Sequence, residues 1–432
     1  MEAVMLLAGE STRMRPLTCT KPKPLLKILN KTILEHNLEQ LEQNGIKDVV
    51  MVLGFLQDDI KRFLGKFNQF NFKFATQKEH LGTGHALLQT ESLIKGEKFL
   101  VMNGDDFYHH EDIRKCLDNE MCATAKEVDN PERFGVFVVE NGYVKNLIEK
   151  SQTPPSNLAN TGLYILNKNI FDFLRKVEKS ERNEFELTDA IVQMSKEHPV
   201  KCEITNNWIP IGYPWDLLTA NEIKMKETEN RIDTTASIDK NVTIKGNVRI
   251  GKNTVIKNGA YIEGPVIIGD NCTIGPNCYI RENSVIGDGS KVGNGSEVKN
   301  SIIGSNTNIS HLSYVCDSIV GDNCNFGAGT IVANLRHDDK TIRSMVKDDL
   351  VDTSRRKFGV VMADYTKTGI NTSIYPGVMI GPFSWTVPGI SIKENLQPLT
   401  LLDENGKRQI DENRFDKNVI ERIRFIKQLV SK

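Results

Sequence analysis

Several features that would restrict the function of this 432-residue protein are missing from its sequence. Neither sign of charge predominates, because the sequence has 55 Lys and Arg residues and 56 Asp and Glu residues, which gives a net charge of −1. This balance gives no reason to expect general binding to nucleic acid or to anionic membranes. No apolar run approaches the roughly 18 residues that a membrane-spanning helix requires. Residues 1–7 have neither the basic lead nor the cleavage pattern of a signal peptide, so we expect a cytoplasmic protein.

The eight cysteines do not indicate a disulfide or metal scaffold. None of them belongs to a Cys-x-x-Cys pair, so a structural zinc site is not expected. What the sequence does contain is 39% hydrophobic and 26% charged residues, which is typical of a folded globular protein. The length is typical of two or three domains.

The first half of the sequence alternates short apolar strands with helical patterns. Residues 3–7, 48–53 and 98–102 are apolar runs of strand length, whereas residues 33–45 have the period of a helix that stops at a glycine. This alternation predicts a Rossmann-like α/β domain with a mostly parallel sheet. Ligands of such sheets bind at the carboxyl ends of the strands. The polar strand exits Ala8-Gly9 and Asn103-Gly104-Asp105 are therefore predicted to belong to a binding site.

The second half has a six-residue period. Eleven successive positions spaced by six carry Ile or Val, from Ile238 to Val298, and the series continues after two one-residue shifts to Val332. This period predicts a left-handed parallel β-helix of about 18 residues per triangular coil, with these anchor residues stacked inside. Small residues follow most anchors by four positions, and three cysteines in this position are predicted to be structural: Cys272, Cys278 and Cys324.

A loop with small and basic residues follows the first strand. Its small residues allow backbone N–H groups to approach phosphate oxygens. Arg13 and Lys23 can neutralise charge on a reacting triphosphate. The Walker pattern is absent from the loop, so ordinary ATPase chemistry is not indicated.

This loop and three later groups of residues resemble, in order, the motifs of the sugar-1-phosphate nucleotidylyltransferases. The later groups are residues 77–86, Asn103-Gly104-Asp105, and the sugar-binding segments near residues 134, 149 and 160. The resemblance implies that Arg13 and Lys23 are catalytic and that Asp105 binds Mg²⁺. It implies that the nucleotide is bound by Ala8, Gly9, Gln77, Gly82 and Thr83. It implies that the sugar phosphate of this site is bound by Gly135, Glu149, Lys150 and Asn160.

Two positions depart from the family pattern. Ser11 stands where the family usually has glycine. Pro210 stands where a Trp-x-Asp-x-Gly segment of the family often supplies a second metal ligand, which proline cannot do. Asp216 is the alternative candidate for that ligand.

Residues 308–334 resemble the acetyltransferase half of the bifunctional N-acetylglucosamine-1-phosphate uridylyltransferase/glucosamine-1-phosphate N-acetyltransferases. The resemblance implies that His311 is the general base, with Glu297 near it. It implies an amino-sugar phosphate pocket formed by Arg281, Lys299, Tyr314, Asn325 and Lys340, and an acetyl-CoA region at Ala328 and Asn334. Leu335 stands where these enzymes commonly have tyrosine.

The six-residue period gives independent support to this second site. His311 comes two residues after the anchor Ile309 and is predicted to point outward. Arg281 and Lys299 are 18 residues apart, so they should stack on adjacent strands about 4.8 Å apart. Two stacked cations repel unless they share an anion, and a sugar phosphate is such an anion. The nearby run Arg355-Arg356-Lys357 is either a contact for coenzyme A phosphates or a solvated charge run.

Together these observations predict an archaeal-type bifunctional enzyme of UDP-N-acetylglucosamine biosynthesis. We expect a nucleotidylyltransferase domain at residues 1–227, a linker at 228–233, an acetyltransferase β-helix at 234–400, and an extension with a terminal helix at 401–432. The expected ligands are UTP or dTTP, a sugar 1-phosphate, a hexosamine 1-phosphate, acetyl-CoA and Mg²⁺, and the expected assembly is a homotrimer. Two alternatives stay open: a monofunctional nucleotidylyltransferase with a structural β-helix, and a non-catalytic regulatory subunit.

Overall fold

The computed structural model describes residues 1–430 and divides into two compact units. The first unit comprises Met1–Glu10 and Thr32–Pro210. The second comprises Ser11–Lys31, which we call the basic loop, and the chain from Ile211 onward. The basic loop therefore belongs to the same compact unit as the six-residue repeats, although it lies in the segment predicted as the first domain.

The first unit is built on a nine-stranded sheet. Four neighbouring strands are parallel, as predicted, whereas the rest of the sheet is mixed because Leu158–Asn167 runs antiparallel to both of its neighbours. The carboxyl ends of Glu2–Leu7 and Lys98–Asn103 lie side by side, since Leu6 pairs with Asn103. In spatial order the strands are Asn71–Thr76, Asp48–Leu53, Glu2–Leu7, Lys98–Asn103, Leu158–Asn167, Cys122–Glu127, Lys201–Ile204, Tyr143–Glu149 and Gly135–Glu140.

Helices surround this sheet and complete an apolar core. The predicted helix near residue 33 is Ile33–Gln43, and it begins after Thr32, whose Oγ1 accepts a hydrogen bond from the Glu35 N–H (3.0 Å). The α-helices of this unit are Ile33–Gln43, Gln57–Leu64, Thr83–Leu88, His110–Leu117, Ile170–Leu174 and Leu187–Ser195. Short 3₁₀ turns lie at Glu91–Leu93 and Pro131–Arg133. The predicted α/β fold of this half is confirmed.

The second unit contains the predicted β-helix, whose three sheets are parallel. The first sheet consists of Arg231–Ile232, Val248–Ile250, Val266–Ile268, Ser284–Ile286, Ile302–Ile303, Ile319–Val320, Val361–Met362 and Met379–Ile380. The second consists of Ser237–Ile238, Val255–Ile256, Thr273–Ile274, Lys291–Asn294, Asn308–His311 and Asn325–Phe326. The third consists of Thr243–Lys245, Tyr261–Glu263, Tyr279–Ile280, Glu297–Lys299, Tyr314–Cys316, Ile331–Val332, Ser373–Ile374 and Ser391–Ile392.

The anchor residues form the core of the β-helix. From Ile250 to Val332 they are buried, as are the three cysteines in the small-residue position, which confirms the six-residue pattern. Ile238 is an exception and is 39% exposed, because its strand lies in the first coil and pairs with the next coil, at Val255–Ile256.

The first sheet also has a buried outer face, formed by Ile267, Val285, Ile302 and Ile319. Each of these residues precedes an inward anchor and therefore points out of the coil. Met225, at the end of helix Pro214–Met225, and Leu29 of the basic loop pack against Ile267 and Val285. The outer face is therefore covered by the helix and the basic loop, which explains why Ser11–Lys31 belongs to this unit.

The remaining segments complete the second unit. Arg231–Ile232 pairs with Arg249 and Ile250, so the β-helix begins within the segment predicted as a linker. The basic loop contains the 3₁₀ turns Thr12–Met14, Leu17–Cys19 and Lys23–Leu25, and short strands lie at Lys27–Ile28 and Lys31–Thr32. A hairpin, Arg343–Val346 with Asp349–Asp352, is inserted before the last coils.

The carboxyl-terminal extension closes the end of the β-helix. Its strand Thr400–Asp403 pairs with Trp385–Thr386 of the preceding segment and with Gly406–Gln409, and the turn Glu412–Arg414 and the helix Lys417–Val430 follow. Ile423 and Ile426 of this helix pack against Phe383 and Leu399. Positions 431 and 432 of the predicted extension lie outside the described residues. Among residues 1–430, no helix has both the length and the hydropathy to cross a membrane.

Candidate active sites

The predicted nucleotide-binding residues of the first unit lie around two strand exits. Ala8 is buried and its carbonyl accepts a hydrogen bond from Phe55 N–H (3.1 Å). Gly9 is exposed, and a Cβ added to it would meet nothing within 4 Å. The backbone at Gly9 is therefore open to a ligand.

Gln77 and Gly82 are joined by a hydrogen bond at the start of the short helix Thr83–Leu88. Gln77 is buried, its Nε2 donates to the Gly82 carbonyl (2.9 Å), and it lies 3.1 Å from His85 Nδ1. Gly82 has φ +94°, and a Cβ there would come within 2.7 Å of the Phe185 carbonyl. Glycine is thus required at this position. Thr83 Oγ1 accepts a hydrogen bond from Leu187 N–H (3.1 Å), which ties the segment to a second helix.

Asp105 follows the strand Lys98–Asn103, as the sequence predicts. It is half-buried and adjoins Asp106, whose Oδ2 accepts a hydrogen bond from Trp208 Nε1 (3.3 Å). Burial and the carboxylates of Asp106 and Asp105 raise the pKa of Tyr108, which indicates a locally negative environment. Carboxylates in such a position are suitable ligands for a hard divalent cation.

The predicted sugar-binding residues come together on three strands. Gly135 pairs with Glu149, and a Cβ on Gly135 would lie 2.8 Å from Glu149 Oε1. Lys150 N–H donates to the Phe134 carbonyl (3.1 Å), while Asn160 Nδ2 donates to Tyr164 OH (2.7 Å). The bridge between Ala159 and Val136 brings the Asn160 strand beside this pair.

The surroundings of Glu149 were not predicted from the sequence. Burial raises the pKa of Glu149, partly opposed by Arg182 at 3.5 Å and reinforced by Glu186. Arg182 also forms an ion pair with Glu186 (2.8 Å). These two residues lie in a polar segment without a recognisable motif, so no sequence signal connects them with Glu149.

The two predicted catalytic cations of nucleotidyl transfer lie in the basic loop of the second unit. Arg13 is exposed on the turn Thr12–Met14, and its guanidinium lies 5.4 Å from the centre of the Tyr213 ring. Lys23 is buried on the turn Lys23–Leu25. Ser11 has φ +49°, in the left-handed region that favours glycine, which is the residue that the family usually has at this position.

Asp216 has a structural role in the second unit. Its Oδ2 accepts hydrogen bonds from the N–H groups of Gly212 and Tyr213, both at 2.8 Å, at the start of helix Pro214–Met225. One carboxylate oxygen is therefore used as a helix cap. The suggested role of Asp216 as a metal ligand stays a prediction.

Along the third sheet of the β-helix, three of the predicted amino-sugar phosphate residues lie on consecutive coils: Arg281, Lys299 and Tyr314. Arg281 N–H donates to the Val298 carbonyl (2.8 Å), so Arg281 and Lys299 are one coil apart, as expected. Arg281 Nη1, however, contacts Glu297 Oε1 at 3.1 Å, and its Nε lies 3.6 Å from Glu282. Carboxylates of the protein thus already partly balance this cation, which was not expected. Among residues 1–430, Lys299 forms no ion pair, so its charge is available to a ligand anion.

His311 lies at the end of the strand Asn308–His311 and is exposed. It pairs with Asn294, and its carbonyl accepts a hydrogen bond from Gly329 N–H (3.2 Å), which brings Ala328 beside it. Within the described part of the chain the imidazole has no hydrogen-bond partner. Asn325 is exposed on the next coil of the same sheet, where it pairs with Asn308. The expected outward orientation of His311 is therefore observed.

Tyr314 lies beyond the corner that follows His311, and Asn334 follows the strand Ile331–Val332 on the next coil. Tyr314 pairs with both Glu297 and Ile331, and burial raises its pKa, with Cys316 and Glu297 contributing. Asn334 Nδ2 donates to the buried Asp317 (Oδ2, 2.6 Å). Asp317 was not predicted and fixes the orientation of the Asn334 amide. Lys340 is exposed in the following loop, where its N–H donates to Asp338 Oδ1 (3.4 Å).

The basic run at residue 355 is only partly a solvated surface. Arg355 forms an ion pair with Glu222 of helix Pro214–Met225 and donates to Thr219 Oγ1 (3.0 Å). Arg356 pairs with Asp339 at 2.6 Å. Arg355 therefore attaches the insertion to the helix.

Matches with known proteins cover most of the chain. A family model described as Nucleotidyl transferase matches residues 2–227, more than half of the chain, and one described as GMPPB C-terminal domain matches residues 262–369. The chain is 41% identical over 405 residues to the Bifunctional protein GlmU of Methanocaldococcus jannaschii, with 93% of this chain and 97% of that protein covered. It is 44% identical over 393 residues to the protein of the same name from Methanococcus vannielii (88% and 92% covered). It is 38% identical over 403 residues to the Bifunctional sugar-1-phosphate nucleotidylyltransferase/acetyltransferase of Sulfurisphaera tokodaii (92% and 98% covered).

The chain belongs to this family of bifunctional sugar-1-phosphate nucleotidylyltransferase/acetyltransferases. The predicted family, fold class and enzyme class are confirmed. The roles of individual residues stay predictions. Pro210 and Leu335 still differ from the residues that the family commonly has at these positions. The structure adds Arg182, Glu186 and Asp317 to the residues that contact the predicted site residues.

Proposed function

We propose that this protein catalyses two successive group transfers. The β-helix transfers an acetyl group from acetyl-CoA to the amine of a hexosamine 1-phosphate, with glucosamine 1-phosphate as the first candidate. The nucleotidyl site then joins a sugar 1-phosphate, with N-acetylglucosamine 1-phosphate as the first candidate, to UTP or dTTP and releases pyrophosphate. These substrates and acetyl-CoA are cytoplasmic metabolites, so we also propose a cytoplasmic location.

The observation that carries the acetyltransferase proposal is the exposed His311, one corner before the strand Tyr314–Cys316. The neighbouring strand carries Lys299, and Arg281 lies one coil further along the same sheet. The substrate amine attacks the thioester carbonyl carbon, the C–S bond breaks, and coenzyme A leaves as the thiolate. A ring nitrogen of His311 accepts the proton that the attacking amine loses. The cations of Arg281 and Lys299 hold the sugar phosphate at the opposite end of the substrate.

In the nucleotidyl transfer, an oxygen of the sugar phosphate attacks the α-phosphorus of the triphosphate and pyrophosphate leaves. Arg13 and Lys23 stabilise the charge that develops on the phosphate oxygens. Gln77 and the open backbone at Gly9 position the nucleotide, and Glu149 and Asn160 position the sugar. These residues bind and orient, so little covalent chemistry is required of the protein.

A divalent cation, for which we propose Mg²⁺, fits this site. Asp105 offers a half-buried carboxylate beside Asp106, and Mg²⁺ is commonly bound by one or two carboxylates together with substrate phosphates. When bound, Mg²⁺ neutralises charge on the triphosphate. Pro210 has no side-chain ligand atom, so among the predicted residues Asp105 would hold the cation.

We further propose a homotrimer with acetyl-transfer sites between subunits. Large apolar side chains are exposed on the β-helix, with Leu312 62%, Ile370 52% and Ile331 44% exposed. These residues lie at or beside the same corner on three successive coils, and a group of exposed apolar side chains is typical of a surface that another molecule covers. Leu312 directly follows His311, so a neighbouring subunit at this position would help to enclose the proposed base.

The proposal is tested by measuring pyrophosphate release and coenzyme A thiol release over a panel of sugar phosphates. The panel pairs UTP and dTTP with several sugar 1-phosphates and pairs acetyl-CoA with glucosamine and galactosamine 1-phosphates. We expect both activities, with N-acetylglucosamine 1-phosphate or a close analogue as the acceptor in the first assay. Pyrophosphate release without acetyl transfer would favour a monofunctional enzyme. The absence of both would favour a regulatory subunit.

A further inference from the structure

The basic loop is attached to the β-helix by a buried ionic contact that neither predicted site includes. Lys21 Nζ lies 2.5 Å from Asp322 Oδ2 and 3.1 Å from Asp364 Oδ2. Thr20 Oγ1 also donates to Asp364 Oδ2 (2.6 Å). Asp364 is buried and Lys21 is half-buried, so solvent screens this contact far less than a surface ion pair.

Both carboxylates are also held in place from the side of the β-helix. Asp322 Oδ1 accepts the Ser305 N–H (2.7 Å), and Asp364 Oδ1 accepts the Asp322 N–H (2.7 Å). Each aspartate thus uses one oxygen to close a coil corner and the other to bind the basic loop. Because these carboxylates are themselves held by the β-helix, they fix the position of the Lys21 side chain.

Other corners of the β-helix show that the second contact is a special feature. Asp270 and Asp288 use Oδ1 in the same way, accepting the N–H groups of Lys252 (2.7 Å) and Asp270 (2.9 Å). Among residues 1–430, neither of these two aspartates forms an ion pair with a lysine or arginine. The aspartate can therefore close a coil corner without a lysine, so the contact of Lys21 with Asp322 and Asp364 is not needed to form the corners.

Lys21 lies close in the chain to the two proposed catalytic cations. Lys23, a proposed catalytic cation, is two residues away, and Arg13 is held in the same loop. Further contacts join the loop to the β-helix, from Lys27 Nζ to Ser305 Oγ (3.1 Å) and from Asn30 Nδ2 to the Ile286 carbonyl (3.0 Å). A misplacement of about 1 Å in a charged group can reduce a rate about 10²-fold.

We propose that Lys21, Asp322 and Asp364 are positioning residues for nucleotidyl transfer. The carboxylates of the β-helix hold Lys21 and Thr20, and this contact keeps Lys23 and Arg13 in the geometry that the reaction needs. The acetyltransferase scaffold is thereby part of the nucleotidyl-transfer machinery. This inference rests on the proposed function of Arg13 and Lys23.

The test compares four variants of the full-length protein with the parent. Lys21→Met removes the cation, and Lys21→Arg keeps it. The double variant Asp322→Asn/Asp364→Asn removes both charges, whereas each asparagine Oδ1 can still accept the N–H group at its corner. Asp288→Asn is the matched control, because within residues 1–430 this corner aspartate forms no ion pair or side-chain hydrogen bond with the basic loop.

We expect Lys21→Met and the double variant to lower kcat of nucleotidyl transfer about tenfold or more, with a much smaller change in KM for the nucleotide. Lys21→Arg should recover most of the rate. The rate of acetyl transfer by Lys21→Met should stay at the parental value, and Asp288→Asn should match the parent in both assays. Amide hydrogen exchange of a peptide from the basic loop should become faster in Lys21→Met but not in Asp288→Asn.

Parental kcat in Lys21→Met would overturn the proposal. So would an equal loss in Asp288→Asn, or a loss of both activities together with a lower melting temperature, since Lys21 would then only stabilise the fold. If the parent itself releases no pyrophosphate, the proposed function fails and hydrogen exchange decides this inference. Equal exchange of the basic loop in the parent and in Lys21→Met would then refute it.

Discussion

Replacement of His311 by alanine separates a catalytic from a structural role. The imidazole is exposed, and within residues 1–430 it makes no hydrogen bond. A surface substitution of this kind changes the free energy of unfolding by about 0.5 kcal/mol or less. That corresponds to a shift of roughly 1–2 °C in melting temperature for a domain of this size. Any large effect of His311→Ala must therefore arise in the reaction.

The expected loss follows from the proton that the substrate amine must lose. A positioned general base contributes about 10²–10⁴-fold, which is about 3–5 kcal/mol of transition-state stabilisation. We expect His311→Ala to lower kcat for acetyl transfer to glucosamine 1-phosphate by this factor. Nucleotidyl transfer should stay near the parental rate, because Arg13 and Lys23 are unchanged.

The assay follows release of the coenzyme A thiol at saturating acetyl-CoA, with pyrophosphate release measured on the same preparation. His337→Ala is a matched control, since His337 is also exposed on this unit but is not a predicted site residue. Parental acetyl transfer by His311→Ala would refute the assignment of the base. Loss of both activities together with the fold would show that His311 is structural.

Three further predictions concern the other site, the assembly and the stability of the first unit. Arg13→Ala and Lys23→Ala should each lower kcat of nucleotidyl transfer about 10²-fold or more while acetyl transfer continues, and unchanged pyrophosphate release would contradict their roles. Sedimentation equilibrium at micromolar concentration should give a trimer, and a monomer with full acetyltransferase activity would exclude sites shared between subunits. Burial alone would raise the pKa of Glu2, but Lys73 and the N–H groups of residues 95 and 96 outweigh it and lower the pKa from 4.5 to about 2. Ionised Glu2 therefore stabilises the fold at neutral pH, and this contribution is lost as the pH falls from 4.5 towards about 2. In calorimetry, Glu2→Gln should lower the melting temperature near pH 7, and the difference should shrink across that window. A difference independent of pH would show that the charge is not responsible.

The β-helix could be predicted almost residue by residue because its period is a packing constraint. An anchor stacks on the anchors of the neighbouring coils, so the sequence itself defines the register from Ile250 to Val332. The pattern is weakest where the stacking is incomplete, in the first coil, where Ile238 is exposed and Ile244 is only partly buried. The mixed half of the first sheet was not predicted. The two neighbours of the strand Leu158–Asn167 in the sheet order, Lys98–Asn103 and Cys122–Glu127, are more than thirty residues away in the chain, and no local pattern encodes its direction.

The site residues were predictable to different degrees for a similar reason. His311 and Asp105 belong to local motifs, and the structure puts them at a strand end and a strand exit as expected. Arg281 was predicted to lie beside Lys299, but its contact with Glu297 depends on side-chain direction, which the six-residue period does not fix. The contact between Lys21 and Asp322 spans 301 residues of the chain. In the sequence, Lys21 is one of several lysines in a basic loop and Asp322 is one of several corner aspartates.

One overlooked sequence signal explains why the motif boundary and the compact-unit boundary differ. In the second and third sheets, the outward position before an anchor is polar or aromatic at many coils, as at Lys291, Glu297 and Tyr279. In the first sheet, this position is aliphatic at four coils: Ile267, Val285, Ile302 and Ile319. Burying one such side chain stabilises a structure by about 1.5–3 kcal/mol, so a repeated aliphatic residue at an outward position indicates that another part of the chain covers that sheet. The basic loop and helix Pro214–Met225 cover it here. A fragment that ends at residue 227 would keep every nucleotidyl-transfer motif but would lose the outer face, Asp322 and Asp364. On the proposed function, the residues that hold Arg13 and Lys23 in place therefore extend beyond the motifs that identify the reaction in the sequence.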